Sequence, residues 1–434
     1  MAEGFIFNHN KCVGCDACRA ACILENGWSF SPRMVYTFNS IALPAIPLTN
    51  ISLACNHCKN AVCLEGCPSS SYYREPFTGA IVIDDSKCLG CRYCQWNCPY
   101  DAPKYIRSSG VIGKCNLCYP GLLEGLMPAC SSACPTGALK YGKLGEQPVE
   151  NIPEWFPEKK LEPAVNLTGN HHNTSLRIVP QHLFSTEPGK PSEMEPEISG
   201  EWSLLAFSFL TTLSVAKIVS ALIDGIYPDK YMFLSLIITA GLLSLFHVGK
   251  KSRAWKAVLN LRSSPLSREI GLFILYFMSA GLSVILQLPA LLLASSLIGL
   301  ILLVAIDSVY IFADKRKSVY LHSGQSFITA LLIVSFLTGK TLPFIFIAIV
   351  KLAASVFSLF TNRNNSLQFG IRFMRSTLLI VTGLSLISGI SYPETAVIYL
   401  FLSGELLDRI LFYVDFKPLN INRLMNIYLN QTGK

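Results

Sequence analysis

Sixteen cysteines lie between Cys12 and Cys134, and they fall into four runs. The first is Cys12-x2-Cys15-x2-Cys18-x3-Cys22, and the second is Cys55-x2-Cys58-x4-Cys63-x3-Cys67 followed by Pro68. The third is Cys88-x2-Cys91-x2-Cys94-x3-Cys98 followed by Pro99, and the fourth is Cys115-x2-Cys118-x11-Cys130-x3-Cys134 followed by Pro135. Closely spaced thiolates in a turn can occupy three corners of an iron-sulfur cubane, and the fourth corner must come from elsewhere. In two-cluster ferredoxins the last cysteine of each run ligates the other cluster. All four runs fit that pattern with no cysteine left over, which predicts four [4Fe-4S] clusters. Structural zinc would use paired Cys-x2-Cys units and would not need three-cysteine runs. Disulfides are not expected for such spacings in a reducing compartment. His57, inside Cys55-Asn-His-Cys58, faces a set that already has four sulfurs and reads as a hydrogen-bonding or packing residue that tunes a cluster.

The elements that must carry these runs are short. Residues 1–145 are punctuated by cysteine, Gly and Pro, with small apolar runs such as Ala80-Ile81-Val82-Ile83 that read as strands, and this predicts an α+β ferredoxin-like domain. Residues 146–200 turn rich in Pro and Glu and lose apolar periodicity, which predicts an extended linker. His171 and His172 inside it read as a solvated pair. Residues 201–434 form an all-α membrane domain by composition, with eight apolar segments at 202–223, 231–247, 267–286, 289–312, 322–338, 342–360, 368–388 and 394–413. Most approach the ~20 residues that span hydrocarbon, so eight transmembrane helices are expected.

The formal net charge of +8 does not point to nucleic acid, because the basic residues cluster between apolar helices, where they report topology. Lys250, Lys251, Arg253, Lys256, Arg262, Arg268, Lys315, Arg316, Lys317, Arg363, Arg372, Arg375, Arg409, Lys417, Arg423 and Lys434 fall on one face of an eight-span topology, against Lys230 and Lys340 on the other. That bias places both termini, and the cluster domain, at the cytoplasm. The opening residues MAEGFIFNHNKC show neither a signal peptide nor a twin-arginine motif, which agrees. No dinucleotide fingerprint, Walker motif or nucleophile elbow is present. Clusters without a substrate pocket make a wire, and the substrate chemistry is expected on another polypeptide.

The run Cys88-Leu-Gly-Cys91-Arg-Tyr-Cys94, with Cys98-Pro99-Tyr100 and Ala102-Pro103 after it, resembles the four-cluster subunits of molybdopterin enzymes of the dimethyl sulfoxide reductase type. The resemblance implies that Cys12, Cys15 and Cys18 share a cluster with Cys134, and Cys115, Cys118 and Cys130 share one with Cys22. It likewise pairs Cys55, Cys58 and Cys63 with Cys98, and Cys88, Cys91 and Cys94 with Cys67. The membrane half resembles the family's eight-helix, haem-free anchor in His247-Val-Gly, Arg253-Ala-Trp255, Leu259-Asn260, Leu266-Ser267-Arg268-Glu269-Ile270 and Gly404-Glu405-Leu406-Leu407-x-Arg409. That anchor is normally a separate chain, so a fusion is implied, which replaces a protein interface with a tether. The implied partner is a large molybdopterin-containing catalytic subunit, and the implied second substrate is a membrane quinone, menaquinone or ubiquinone.

The resemblance maps the quinone site onto His247 and Glu269. A quinone needs a hydrogen-bond partner and a proton carrier, and His titrates in the useful range. The topology places both at the membrane edge on the side of the cluster domain. Only His247 and His322 occur in the membrane domain, both at helix ends, and no haem is expected. Lys217, Asp307, Lys351 and Glu405 fall within predicted spans and are costly unless paired or hydrated. Glu405 and Arg409, four apart, are expected to satisfy each other, which leaves Asp307 and Lys351 as candidates for a proton path. Competing functions are a self-contained ferredoxin:quinone oxidoreductase, an ion transporter gated by an iron-sulfur domain, or the same wire serving a cytoplasmic sulfite dehydrogenase.

Overall fold

The computed structural model describes residues 3–38, 49–144, 156, 159–168, 198–313, 322–361, 366–388 and 394–416. They belong to two compact units that divide between Met194 and Glu195.

In the first unit, β1 (Glu3–Asn8) is the middle strand of a three-stranded sheet, antiparallel to β8 (Leu139–Lys143) and parallel to β9 (Val165–Thr168). The register puts Phe5 beside Tyr141 and Val165, and Phe7 beside Leu139 and Leu167. All six are buried, so one face of the sheet closes a small core that also holds Cys18, Cys55, Cys98, Cys115 and Cys130. Three two-stranded ribbons complete the strands: β2 (Met34–Phe38) with β3 (Thr49–Leu53), β4 (Tyr72–Arg74) with β5 (Ile81–Ile83), and β6 (Lys104–Ile106) with β7 (Val111–Gly113). Helices α1 (Ala17–Asn26), α2 (Val62–Glu65), α3 (Tyr93–Asn97), α4 (Tyr119–Leu123) and α5 (Ala129–Ser132) are short and start within or beside the cysteine runs.

The segment 146–200 differs from the expected linker. β9 lies within it, Phe156 is buried and stacks on Tyr100 with ring centroids 5.3 Å apart, and Glu162 pairs with Lys59 at 2.9 Å. The physical reason is the alternation of Val165-Asn-Leu167-Thr, a strand pattern that the surrounding Pro and Glu obscure. The cluster unit thus extends through at least Thr168. His171 and His172 lie outside the described residues.

The second unit is helical: α6 (Ile198–Asp224), α7 (Lys230–Phe246), α8 (Pro265–Leu286), α9 (Pro289–Ala313), α10 (Ser326–Leu337), α11 (Thr341–Thr361), α12 (Ser366–Ser388) and α13 (Glu394–Asp415). Asp229 caps α7 by accepting from the N–H groups of Tyr231 and Met232, and Ser264 caps α8 ahead of Pro265. Among the described residues four helices, within α6, α8, α9 and α12, are long and apolar enough to cross a membrane. A fifth span results if α7 is joined to the 3-10 helix Lys251–Val258, which bends from it by 106°. Twelve-residue α10 rises only about 18 Å, short of a ~30 Å hydrocarbon core. Charged Glu405, Asp408 and Arg409 set α13 apart from the apolar spans.

Candidate functional site

The first Cys-x2-Cys loop of each run turns through a left-handed residue just before its second cysteine. These are Gly14 (φ 71°), His57 (φ 42°), Gly90 (φ 71°) and Leu117 (φ 65°). Glycine takes this conformation without penalty, whereas His57 and Leu117 are held there against it. The turn directs backbone N–H groups at sulfur: His57 N–H donates to Cys55 Sγ at 3.5 Å and Leu117 N–H to Cys115 Sγ at 3.4 Å. The fourth cysteines receive similar bonds, from Ser71 N–H to Cys67 Sγ at 3.3 Å and from Leu139 N–H to Cys134 Sγ at 3.4 Å.

All sixteen thiols are free of disulfides. The fold brings them together across runs. Cys12, Cys15, Cys18 and Cys134 line one small cavity. Cys22 lies within charge range of Cys130 and Cys118, and Cys115 within range of Cys22 and Cys130. Cys58 and Cys63 lie within range of Cys55 and Cys98, while Cys94 lies within range of Cys91, Cys88 and Cys67. Some of these neighbours also cross the sets that the family resemblance implies, since Cys22 lies near Cys18 as well and Cys115 near Cys55. Among the described residues no group of three or more His, Cys, Asp or Glu side chains is placed to hold a single metal ion. An all-sulfur donor set drawn three from one run and one from another fits a cubane cluster.

Burial pushes the thiols of Cys22 and Cys98 up to about 12, with neighbouring thiolates adding to the rise. These two thiols therefore stay protonated at neutral pH unless a cation such as iron displaces the proton. His57 is buried, and its Nδ1 accepts from Ile81 N–H at 3.0 Å. Burial first, and then Lys114, Arg74 and Arg33, drive it well below the usual histidine range, so it is a neutral packing residue.

In the helical unit His247 ends α7, and its Nδ1 lies 3.2 Å from Glu201 Oε2 of α6; both side chains are buried. Sequence reasoning overlooked Glu201, which sits in the first turn of α6 and reads there as a dipole-complementing acid. Glu269 is buried just beyond the first turn of α8, and Ser267 Oγ before it donates to Ala257 O at 2.7 Å and fixes the preceding loop. The charges acting on Glu269 are Arg409 and Asp307, and no hydrogen bond or ion pair reaches its carboxyl among the described residues. His247 and Glu269 thus face different partners.

The charges within α9–α13 differ from expectation. Arg409 pairs with Asp307 at 3.3 Å, not with Glu405, and also donates to Ser208 Oγ at 2.9 Å and Gly324 O at 3.0 Å. Glu405 binds Lys351, which also lies 3.1 Å from Asp408 and donates to Thr329 Oγ1 at 2.8 Å. Arg375 meets Asp408 at 2.9 Å, and Arg372 meets Asp415. Arg372, Arg375 and Arg409 are therefore bundle-core residues and not loop charges that report topology. A Cβ at Gly324 would come within 2.4 Å of Asp408 O, so only glycine permits this approach of the loop to α13. His322 Nε2 lies 3.2 Å from Asp415 and its Nδ1 accepts from Gly324 N–H at 2.9 Å, so both ring nitrogens are engaged. Lys217 instead is exposed and lines an apolar cavity of about 500 Å³ with Leu213, Phe233, Thr239, Phe336 and Phe401, which includes neither His247 nor Glu269.

Residues 48–144 match the family described as the 4Fe-4S dicluster domain. The sequence is 34% identical over 153 residues to YnfG of Escherichia coli K12, a probable anaerobic dimethyl sulfoxide reductase chain, covering 33% of this protein and 74% of that one. It is 33% identical over 161 residues to PhsB of Salmonella typhi, a thiosulfate reductase electron transfer subunit, covering 36% of this protein and 82% of that one. With a sulfite dehydrogenase subunit of Allochromatium vinosum it shares 29% identity over 234 residues, covering 46% of this protein and 95% of that one. On the residues of its cysteine-rich unit, the protein belongs to the family of iron-sulfur electron-transfer subunits that these dimethyl sulfoxide reductase and thiosulfate reductase relatives represent.

Proposed function

We propose that this chain is the electron-transfer and membrane-anchor subunit of a respiratory molybdopterin oxidoreductase of the dimethyl sulfoxide reductase type, with wire and anchor fused in one polypeptide. The observation that carries the reading is that cysteines of different runs converge, as where Cys12, Cys15, Cys18 and Cys134 line one cavity, and we read the sixteen as four sets of four, each drawn from two runs. Each [4Fe-4S] cluster, when bound, takes up and releases one electron. Cys12, Cys15, Cys18 and Cys134 would hold one; Cys22, Cys115, Cys118 and Cys130 a second; Cys55, Cys58, Cys63 and Cys98 a third; Cys67, Cys88, Cys91 and Cys94 the fourth. The backbone N–H groups aimed at the sulfurs offset the negative charge of the bound state.

The helical unit supplies the quinone end in this reading, through eight membrane helices. His247 and Glu201 form an acid-base couple able to pass a proton, and Glu269 presents a buried carboxyl with a spare hydrogen-bonding capacity for a quinone oxygen. Asp307 and Lys351 are committed to ion pairs, which supports a structural role for both. The cluster unit faces the cytoplasm on the positive-inside rule, a bias that survives removal of the three buried arginines.

Purification of the complex from solubilised membranes tests the proposal: a large molybdenum-containing subunit should accompany the chain. Its absence, with ferredoxin-driven quinone reduction by the isolated chain, would establish the self-contained oxidoreductase instead. The alignment over nearly all of the sulfite dehydrogenase relative favours one second reading, in which the partner oxidises sulfite and electrons flow toward quinone.

A further inference from the structure

Two buried cations stand among the thiol sets, and neither answers a carboxylate among the described residues. Arg33 is 1% exposed, stacks over the Phe5 ring with Cζ 4.5 Å from its centre, and donates from Nη1 to Ser52 Oγ at 3.1 Å. Its Nε and Nη2 are buried and find no partner among the described residues. The thiols on which its charge acts are Cys130, Cys115, Cys18 and Cys22, and Ser52 Oγ itself lies 3.4 Å from Cys18 Sγ. Arg33 therefore stands where the set of Cys18 meets the set of Cys22, Cys115 and Cys130. Lys114 is 2% exposed, and its Nζ lies 3.4 Å from Cys55 Sγ while donating to Cys115 O at 2.8 Å and to Ile81 O. Cys55, Cys63 and Cys115 are the thiols its charge acts on, so it stands where that second set meets the set of Cys55 and Cys63.

A buried guanidinium with unpaired N–H groups is strongly unfavourable unless an anion completes it. The neighbours available to do so are the thiolates and the clusters they would hold. We propose that Arg33 and Lys114 are the redox-tuning cations of this wire, each fixing a positive charge at a joint between two clusters and raising the reduction potentials of both. The proposal rests on the four-cluster reading above. Reduction moves one electron onto a cluster from its neighbour; no bond forms or breaks, and neither cation gives up a proton. A fixed cation stabilises the extra negative charge, the more so in a medium of low dielectric. The cluster of Cys22, Cys115, Cys118 and Cys130 is flanked by both cations and carries the highest potential. The thiols on which Arg33 and Lys114 chiefly act do not include Cys67, Cys88, Cys91 or Cys94; Cys94 is met by the neutral Tyr72 hydroxyl, and Asp85 acts on Cys88. The cluster of these four carries the lowest.

The test is an EPR-monitored redox titration of the full complex. Lys114→Met should lower the reduced-to-oxidised ratio of two clusters at least tenfold at a fixed potential, which is ~59 mV for one electron. The Cys67 cluster should not move, and Lys114→Arg should leave all four near their original values. Arg33→Gln should shift a different pair that shares one member with the first. Unchanged potentials in Lys114→Met with full iron content overturn the proposal. Should these variants lose iron, ligand changes in an otherwise intact chain decide the same point. Cys118→Ser should alter the highest-potential signal and Cys91→Ser the lowest; the reverse assignment overturns it. Iron and sulfide well below four clusters in the unmodified complex would instead sink the cluster reading, and the tuning with it.

Discussion

Arg409 of α13 reaches Asp307 of α9 at 3.3 Å and leaves Glu405, one turn away on its own helix, to Lys351 of α11. Asp307 also accepts from the N–H groups of Ser326 and Phe327 at 3.0 and 3.1 Å, so one carboxylate caps α10 and neutralises α13. Changing Asp307 to Asn should leave a buried guanidinium unpaired, at a cost of about 3–5 kcal/mol. Denaturation of the purified complex in detergent measures this. Stability equal to the unmodified protein would show that Asp307 is free for another task.

The alkaline behaviour of the iron-free protein follows from the thiols. Cys22 and Cys98 are raised by burial from 9.0 to about 12 in the folded chain, so the fold favours their protonated form. Their contribution is complete below pH 9 and is lost as pH rises toward 12. Anaerobically chelated protein should therefore unfold within that window, followed by circular dichroism, while the iron-loaded protein holds because its thiolates are already ionised. Equal alkaline stability of the two forms would contradict the assignment.

His247→Ala should reduce quinol-linked turnover by about 10²-fold or more, the scale of a lost general acid-base group, while dye-linked activity at the catalytic partner is kept. Glu201→Gln should act in the same direction, because the carboxylate 3.2 Å from Nδ1 orients the imidazole. A parallel loss of both activities would make the pair structural.

Protease or thiol-labelling accessibility should place the cluster unit at the cytoplasmic face of sealed membranes. Cleavage of residues 1–144 from the outside only would reverse the topology.

The cysteine runs were legible because iron-sulfur ligation fixes residue type and spacing together, and in the fold Cys12 and Cys134 line one cavity while Cys98 lies near Cys55. The helices were legible from apolar length, as at α9, where Pro289 and Ala313 bound the segment within a residue of expectation. The pairing of buried charges was not. A spacing of four between Glu405 and Arg409 is a local signal, whereas the partners Asp307 and Lys351 come from helices whose rotation no single-chain periodicity reports. Arg33 and Lys114 looked like ordinary basic residues, since nothing in a sequence marks a cation as enclosed. β9 escaped because four alternating residues are too few to outweigh the Pro and Glu around them.

β1 has a partner on each side, and the second, β9, emerges last. The sheet that closes the cluster unit cannot be completed until Thr168 has been made, and 266 residues, including every helix of the second unit, follow it. At ~5–20 residues per second that leaves roughly 12–50 s, ample time for a small domain to fold. On the proposed function, synthesis order thus separates two assembly problems in time: metal loading in water would come first, and insertion into lipid would follow. Ribosome-bound chains arrested within α7 should already retain iron, whereas chains arrested before Val165 should not; iron uptake only after release of the full chain would show that the two steps are not so ordered.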